Sequence, residues 1–118
     1  MDARRGIAMF EKVGVPILGV VENMAVYRCT QCGHEEHIFG AGGGQRMAEK
    51  YKVDYLDGLP LSLSIREQAD SGCPTVAAAP DSAEAATYRA IARRIAVKVA
   101  EQAKDYSSRF PTITVSNT

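Results

Sequence analysis

A chain of 118 residues, 46% hydrophobic and 24% charged, has the composition of one small globular domain or a piece of a larger one, which excludes intrinsic disorder. Its 14 basic and 14 acidic side chains cancel, so the charge footprint of a general nucleic-acid binder is missing and no nucleic-acid partner is expected. The longest purely apolar run, residues 15–21, is far shorter than the roughly 20 residues of a membrane span. Glu11 and Lys12 break any secretory signal after Arg4 and Arg5, so no membrane partner and a cytoplasmic location are expected.

The chain begins with a predicted helix that Asp2 is placed to cap, in which Ile7, Ala8, Phe10 and Val13 share a broad face and Gly14 supplies the stop. Residues 15–21 read as a β-branched strand apolar on both faces, the pattern of a central parallel strand, with Pro16 at its start where a missing ladder donor is tolerated. Residues 22–39 are polar and irregular and carry both histidines and two of the three cysteines, as a loop that bears chemistry would. The glycines of 40–44 lead into a short helix over 45–51, with Met47, Ala48 and Tyr51 on one face. A second strand is expected over 53–59, ended by Pro60, then a helix over 63–71 closed by Gly72 and Pro74.

From Asp81 and Ser82 to about Lys104, the residues Tyr88, Ile91, Ala92, Ile95, Ala96 and Val99 recur at helical spacing. That leaves Arg89, Arg93, Arg94, Lys98 and Glu101 on a solvated face with no partner assigned. Residues 105–118 show no periodicity and are expected to form a mobile tail to a folded part spanning 1–104.

Helices alternating with strands give an α/β fold class, with helices packed on a parallel sheet. Only two convincing strands are present, against the usual four to six of a sheet. The expectation is therefore the C-terminal portion of a larger domain, with further strands preceding Met1.

Cys29-Thr30-Gln31-Cys32-Gly33-His34 carries the sharpest chemical signal. A two-residue gap lets both sulfurs converge on one metal, and the glycine relaxes the turn. Two thiolates fill half of a zinc or iron-sulfur coordination shell. A second copy meeting the first across a two-fold axis would supply the rest, for a bridging 4Fe-4S cluster or for zinc in the same place. His34 and His37 offer an alternative, a Cys-Cys-His-His zinc site within one chain. A thioredoxin-like redox pair needs a helix directly after its first cysteine, and no helical pattern follows Cys29. An unliganded pair is the bland reading. Cys73, between Gly72 and Pro74, reads as a small buried residue.

The segments Asp2-Ala-Arg-Arg-Gly-Ile-Ala-Met-Phe, Val15-Pro-Ile-Leu-Gly-Val-Val-Glu-Asn-Met, Cys29-Thr-Gln-Cys-Gly-His and Ile38-Phe-Gly-Ala-Gly-Gly-Gly resemble the Mrp/ApbC family of iron-sulfur cluster carrier ATPases. Gly58-Leu-Pro-Leu and Ile65-Arg-Glu-Gln-Ala-Asp-Ser-Gly-Cys-Pro extend the resemblance to about residue 104. The resemblance implies a MinD/ParA-like P-loop NTPase fold, Mg-ATP in the full-length parent, a homodimer, and delivery of 4Fe-4S clusters to apo iron-sulfur target proteins. By position, Cys29 and Cys32 correspond to the family's cluster-bridging pair, Asn23 to its adenine-contacting asparagine, and Pro60 to the loop beside the base. From the residues alone, Asn23 also suits a turn and Pro60 a strand stop. The chain departs from the family in having no G-x-x-x-x-G-K-[ST], since the glycines of 40–44 are not followed by Lys-Ser or Lys-Thr. Without a phosphate cradle, this chain alone is expected not to hydrolyse ATP, and no catalytic residue is assigned.

Overall fold

A computed structural model describes residues 2–106. Helix α1 (Asp2–Lys12) carries Asp2 in its first turn, where a carboxylate suits the helix dipole. It stops at Gly14, whose φ of 72° is a left-handed value, while the Val15 N–H reaches back to the Phe10 carbonyl at 2.9 Å. This is the Schellman stop that the glycine predicts. It also takes Val15 out of the strand, and β1 covers only Gly19–Glu22 rather than 15–21. Val15 and Val21 are exposed, so the expected burial on both faces is not present in the described residues.

Strand β1 pairs in parallel with β4 (Asp54–Gly58), Gly19 opposite Asp54 and Glu22 opposite Gly58. Gly19 is required by close approach: a Cβ there would stand 2.7 Å from both the Asp54 carbonyl and the Leu56 side chain. The register shifts between Val20 and Val21, where Asp57 adopts a φ of 146°. Pairing continues past both strands. The Leu59 N–H donates to the Glu22 carbonyl (2.7 Å), the Ala25 N–H to the Leu59 carbonyl (2.9 Å), and the Leu61 N–H to the Val26 carbonyl (2.7 Å).

Between the two strands lie a small hairpin, β2 (Tyr27–Arg28) with β3 (Glu35–Glu36), and helix α2 (Gly43–Tyr51). The hairpin replaces part of the irregular loop expected over 22–39. Helix α2 packs on both β1 and β4. Its second residue is glycine because nothing larger fits: a Cβ on Gly44 would lie 2.8 Å from the Tyr55 ring and 2.9 Å from Glu22 Oε2. The Tyr55 hydroxyl donates to that same carboxylate oxygen at 3.0 Å.

Helix α3 (Leu63–Asp70) ends as predicted, with Gly72 at φ 78° and the Cys73 N–H bonded to the Gln68 carbonyl at 3.0 Å. Cys73 is exposed, not buried, because this helix stop holds it on the outside. A one-turn helix α4 (Thr75–Ala78), absent from the periodicity, follows Pro74 and joins α3 to α5.

Helix α5 (Ala83–Tyr106) is capped by Ser82, whose hydroxyl accepts from the Ala85 N–H at 3.1 Å. Ala85 and Ile91 are buried, whereas Val99 is exposed. Two of the residues assigned to a solvated face instead grip β4. Arg94 donates to the Leu56 carbonyl and meets Asp57 at 3.3 Å, and Lys98 pairs with Asp54. Residues Ile91, Arg94, Ile95 and Lys98 follow the i, i+3, i+4, i+7 rule, so the face toward the sheet interleaves apolar and cationic side chains. The predicted tail begins inside α5, and its residues 107–118 lie outside the described ones.

Replacing Gly44 with Ala sets two effects against each other. Helix propensity favours alanine by up to about 1 kcal/mol, while overpacking costs about 1–3 kcal/mol. The contacts at 2.8–3.0 Å involve a hydrogen-bonded ring and the Glu22 Cβ, so overpacking wins, and Gly44→Ala lowers the urea midpoint. The Tyr55 phenol is pushed up to about 12, first by burial and then by its hydrogen bond to Glu22. Folding therefore favours the neutral phenol. That contribution is complete below the ordinary value of 10.0 and is lost as pH rises toward about 12. A spectrophotometric titration should show one late-ionising tyrosine, missing in Tyr55→Phe.

Candidate functional site

The cysteine pair occupies the tip of the β2–β3 hairpin. Tyr27 faces Glu36 and Arg28 faces Glu35 across the antiparallel ladder, and the Cys29 N–H extends it by donating to the His34 carbonyl at 2.9 Å. The Gly33 N–H then turns back onto the Cys29 carbonyl at 2.9 Å, with Gly33 at φ 73°. A side chain is disfavoured at that angle, which is the physical reason for glycine directly after the second cysteine. The result is a knuckle with both sulfurs on one side of a tight turn.

Its electrostatics favour a thiolate. The Cys29 thiol is held below its ordinary value, first by the backbone N–H of Cys32, then by that of Gln31, then by the Cys32 thiol; burial opposes this only weakly. Backbone N–H groups aimed at sulfur stabilise the anion, the form that binds metals and attacks electrophiles. Cys29 is half-buried and Cys32 exposed, and neither is in a disulfide.

The hairpin is braced from below by Arg28. Its Nε and Nη2 donate to one Glu35 oxygen at 2.9 and 2.7 Å, and its Nη1 lies 3.5 Å from Glu84 in the first turn of α5. One guanidinium thus spans the hairpin and the long helix. The cross-strand Arg–Glu pair around a C-x-x-C-G-H loop is a signal the sequence contains; Glu84, 56 residues away, gives none.

The histidines do not join the cysteines. His34 Nε2 stands 3.3 Å from Glu36, and His37 Nδ1 lies 3.2 Å from the Ala25 carbonyl. No group of three His, Cys, Asp or Glu side chains converges among the described residues. The single-chain Cys-Cys-His-His site is therefore not assembled, because the backbone turns His34 toward β3 and His37 toward the segment after β1.

Asn23 and Pro60 follow the C-terminal ends of the two parallel strands. The bonds from Glu22 and Ala25 to Leu59 bracket Asn23 and set it beside the segment that carries Pro60. Ligands of open α/β sheets bind at that end. Asn23 is exposed, and its Oδ1 accepts from the Met24 N–H at 3.0 Å, a local turn with Met24 at φ 56°. Pro60 is buried. Within the glycine run, Gly44 serves packing, and the Glu22 carboxylate lies beside Gly43 and Gly44 at the start of α2, where it would repel a phosphate.

A family model described as the NUBPL iron-transfer P-loop NTPase (ParA) matches residues 1–96. The chain belongs to this family. It is 52% identical over 99 residues to an iron-sulfur cluster carrier protein of Escherichia coli, covering 84% of this chain and 27% of the relative. It is 48% identical over 95 residues to the iron-sulfur cluster transfer protein NUBPL of Mus musculus, covering 80% of this chain and 30% of the relative. The chain thus spans about a third or less of the length of these relatives. Among solved structures, a nucleotide-binding protein in complex with ADP from Archaeoglobus fulgidus matches with a TM-score of 0.51 and 32% identity, over 59% of this chain and 29% of that one. The α/β class with a small parallel sheet and flanking helices agrees with that neighbour. No described helix is long and apolar enough to cross a membrane.

The hairpin geometry predicts an early-ionising thiol. Iodoacetamide pulses over a range of pH, read by peptide mass spectrometry, should label Cys29 with a half-rate at a pH below the ordinary thiol value of 9.0. A half-rate at or above that value contradicts the thiolate stabilisation.

Proposed function

We propose that Cys29 and Cys32 hold one half of a 4Fe-4S cluster, carried as cargo toward apo iron-sulfur target proteins, and that the same pair of a second copy holds the other half. The observation that carries this reading is the knuckle itself. It presents two sulfurs, at least one stabilised as thiolate by backbone N–H groups, and no third ligand among the described residues. Clusters of this kind take four thiolates, and a two-fold axis doubles a pair into four. The names of the relatives, cluster carrier and cluster transfer protein, support the same cargo.

The nucleotide side of the proposal uses Asn23 and Pro60. In the longer carrier, these residues flank the adenine of Mg-ATP at the carboxyl ends of the paired strands, a placement supported by the general rule for open sheets and by the ADP-bound neighbour. These 118 residues contain no phosphate-binding loop, so the phosphates and magnesium are held by other residues. The Glu22 carboxylate at the start of α2 also disfavours an anion there. Three unpaired thiols fit a reducing compartment, the cytoplasm.

Anaerobic reconstitution with iron and sulfide tests the cargo. About four irons per two chains are expected, with a broad visible absorption band. Cys29→Ala and Cys32→Ala each reduce uptake to background. Retention of cluster by the double alanine variant, or zinc without iron in protein purified under strict exclusion of oxygen, would overturn the proposal.

A further inference from the structure

Strand β4 ends on the pair Asp57-Gly58, just past the register shift. Asp57 sits at φ 146°, outside the ordinary range for a residue with a side chain. Glu22 faces Gly58, and it is the Leu59 N–H that donates to the Glu22 carbonyl, at 2.7 Å. A parallel ladder takes its bonds from alternate residues, so the Gly58 N–H points away from β1. Its acceptor is instead the side chain just before it, Asp57 Oδ1, at 2.8 Å. A backbone nitrogen is thereby held beside the carboxyl group of the preceding residue, and Cγ, one bond beyond Oδ1, is the electrophile within its reach.

Two other aspartates precede a small residue, and their nitrogens are arranged differently. The Ser71 N–H after Asp70 donates to the Glu67 carbonyl at 3.0 Å, and the Ser82 N–H after Asp81 donates to the Ala79 carbonyl at 3.1 Å. Each of those nitrogens is committed to a backbone acceptor. Glycine at 58 is fixed by packing, since a Cβ there would stand 2.7 Å from the Ala25 Cβ and 2.9 Å from the Tyr55 hydroxyl. Having no side chain, it also leaves its own nitrogen unscreened. The fold therefore requires, at this one place, the residue that makes an aspartate most reactive toward its neighbour.

We propose that Asp57-Gly58 is a site of spontaneous backbone modification, which closes to a succinimide and reopens as isoaspartate, and that Arg94 restrains the closure. The Gly58 nitrogen forms a bond to Asp57 Cγ. With the carboxyl group in its protonated form, the Cγ–O bond to the hydroxyl breaks, and the hydroxyl takes the proton of the nitrogen and leaves as water. Water then adds to one of the two ring carbonyls. Breaking the bond from nitrogen to Cγ restores aspartate, whereas breaking the bond from nitrogen to the Asp57 backbone carbon leaves the chain running through Cβ and Cγ. No electrons are transferred, and water is the sole co-reactant.

The restraint is geometric. A hydrogen bond to a carboxylate lies near the carboxylate plane, while attack on Cγ comes from above that plane, so the group must first rotate. Arg94 resists the rotation because its Nη1 lies 3.3 Å from Asp57 Oδ2 and is anchored on the Leu56 carbonyl. Once formed, isoaspartate lengthens the main chain by one atom inside the β1–β4 pairing. It displaces Leu59, whose N–H and carbonyl hold Glu22 and Ala25, and with it the segment that carries Pro60.

The test incubates the full chain for days at physiological temperature and neutral pH, then reads its peptides by mass spectrometry with fragmentation that separates isoaspartate from aspartate. The peptide carrying Asp57 should lose one water and then gain isoaspartate, with Asp70 and Asp81 lagging behind. An isoaspartyl-specific carboxyl methyltransferase should label the aged chain far more than an equally aged Asp57→Glu variant, in which no five-membered ring can close. Arg94→Ala should speed conversion by up to about fivefold, the worth of an exposed ion pair. Asp57→Asn should speed it further, through the same ring with loss of ammonia. Far-UV circular dichroism checks each fold, and Arg94→Gln serves if Arg94→Ala unfolds. Concentrated urea should shrink the excess of Asp57 over Asp70 and Asp81, because unfolding frees the Ser71 and Ser82 nitrogens. Absence of isoaspartate at Asp57 in the folded chain, or proportions at the three aspartates that urea leaves unchanged, overturns the proposal. An unchanged rate in the folded Arg94 variant overturns the restraint.

Discussion

The parallel pairing of β1 with β4 is the constraint on which the rest of the molecule depends. It brings together segments separated by the whole hairpin and α2, and it continues past both strands through Glu22, Ala25 and Leu59. That continuation fixes where the hairpin leaves the sheet and where Asn23 and Pro60 stand. Two glycines make the pairing possible at this spacing, Gly19 under Leu56 and Gly44 against Tyr55 and Glu22. Their role is steric, to let backbone and ring approach, and neither acts as a hinge.

Elements with a strong local signal were legible in the sequence. Gly14 and Gly72 announced helix ends that the structure builds as left-handed stops, and the alternation of helix and strand announced the class. What was not legible depended on partners distant in the chain. Residues 15–21 have the composition of one long strand, but the stop of α1 draws Val15 into its own hydrogen bond and pairing starts only at Gly19. Arg94 and Lys98 read as solvated because their carboxylate and carbonyl partners sit on β4, about forty residues earlier. Cys73 read as buried because a small residue between Gly and Pro gives no hint that a helix stop will hold it outside.

The site divides along the same line. The two-residue spacing of Cys29 and Cys32 and the glycine after them made the tight turn legible directly, because its geometry is local. The hairpin around them has little sequence signal, since each strand is only two residues long and its strongest cross-strand contact is ionic rather than apolar. The histidines were close in sequence to the cysteines yet are directed elsewhere by backbone geometry, which spacing alone does not encode. Asn23 carries a local turn bond and a position at the strand ends at the same time, so sequence could not separate its two readings.

The hairpin belongs to the crossover between β1 and β4, and this placement separates the cysteine turn from the sheet. Joining the two strands closes a loop of roughly thirty residues, whose entropic cost grows only as the logarithm of length. Cross-linking a knuckle of about four residues within it changes that cost by on the order of 0.1 kcal/mol. Within a single chain, filling or emptying the knuckle therefore leaves the sheet almost equally easy to form. A group bound at that turn, as proposed, would leave without starting to unfold the sheet.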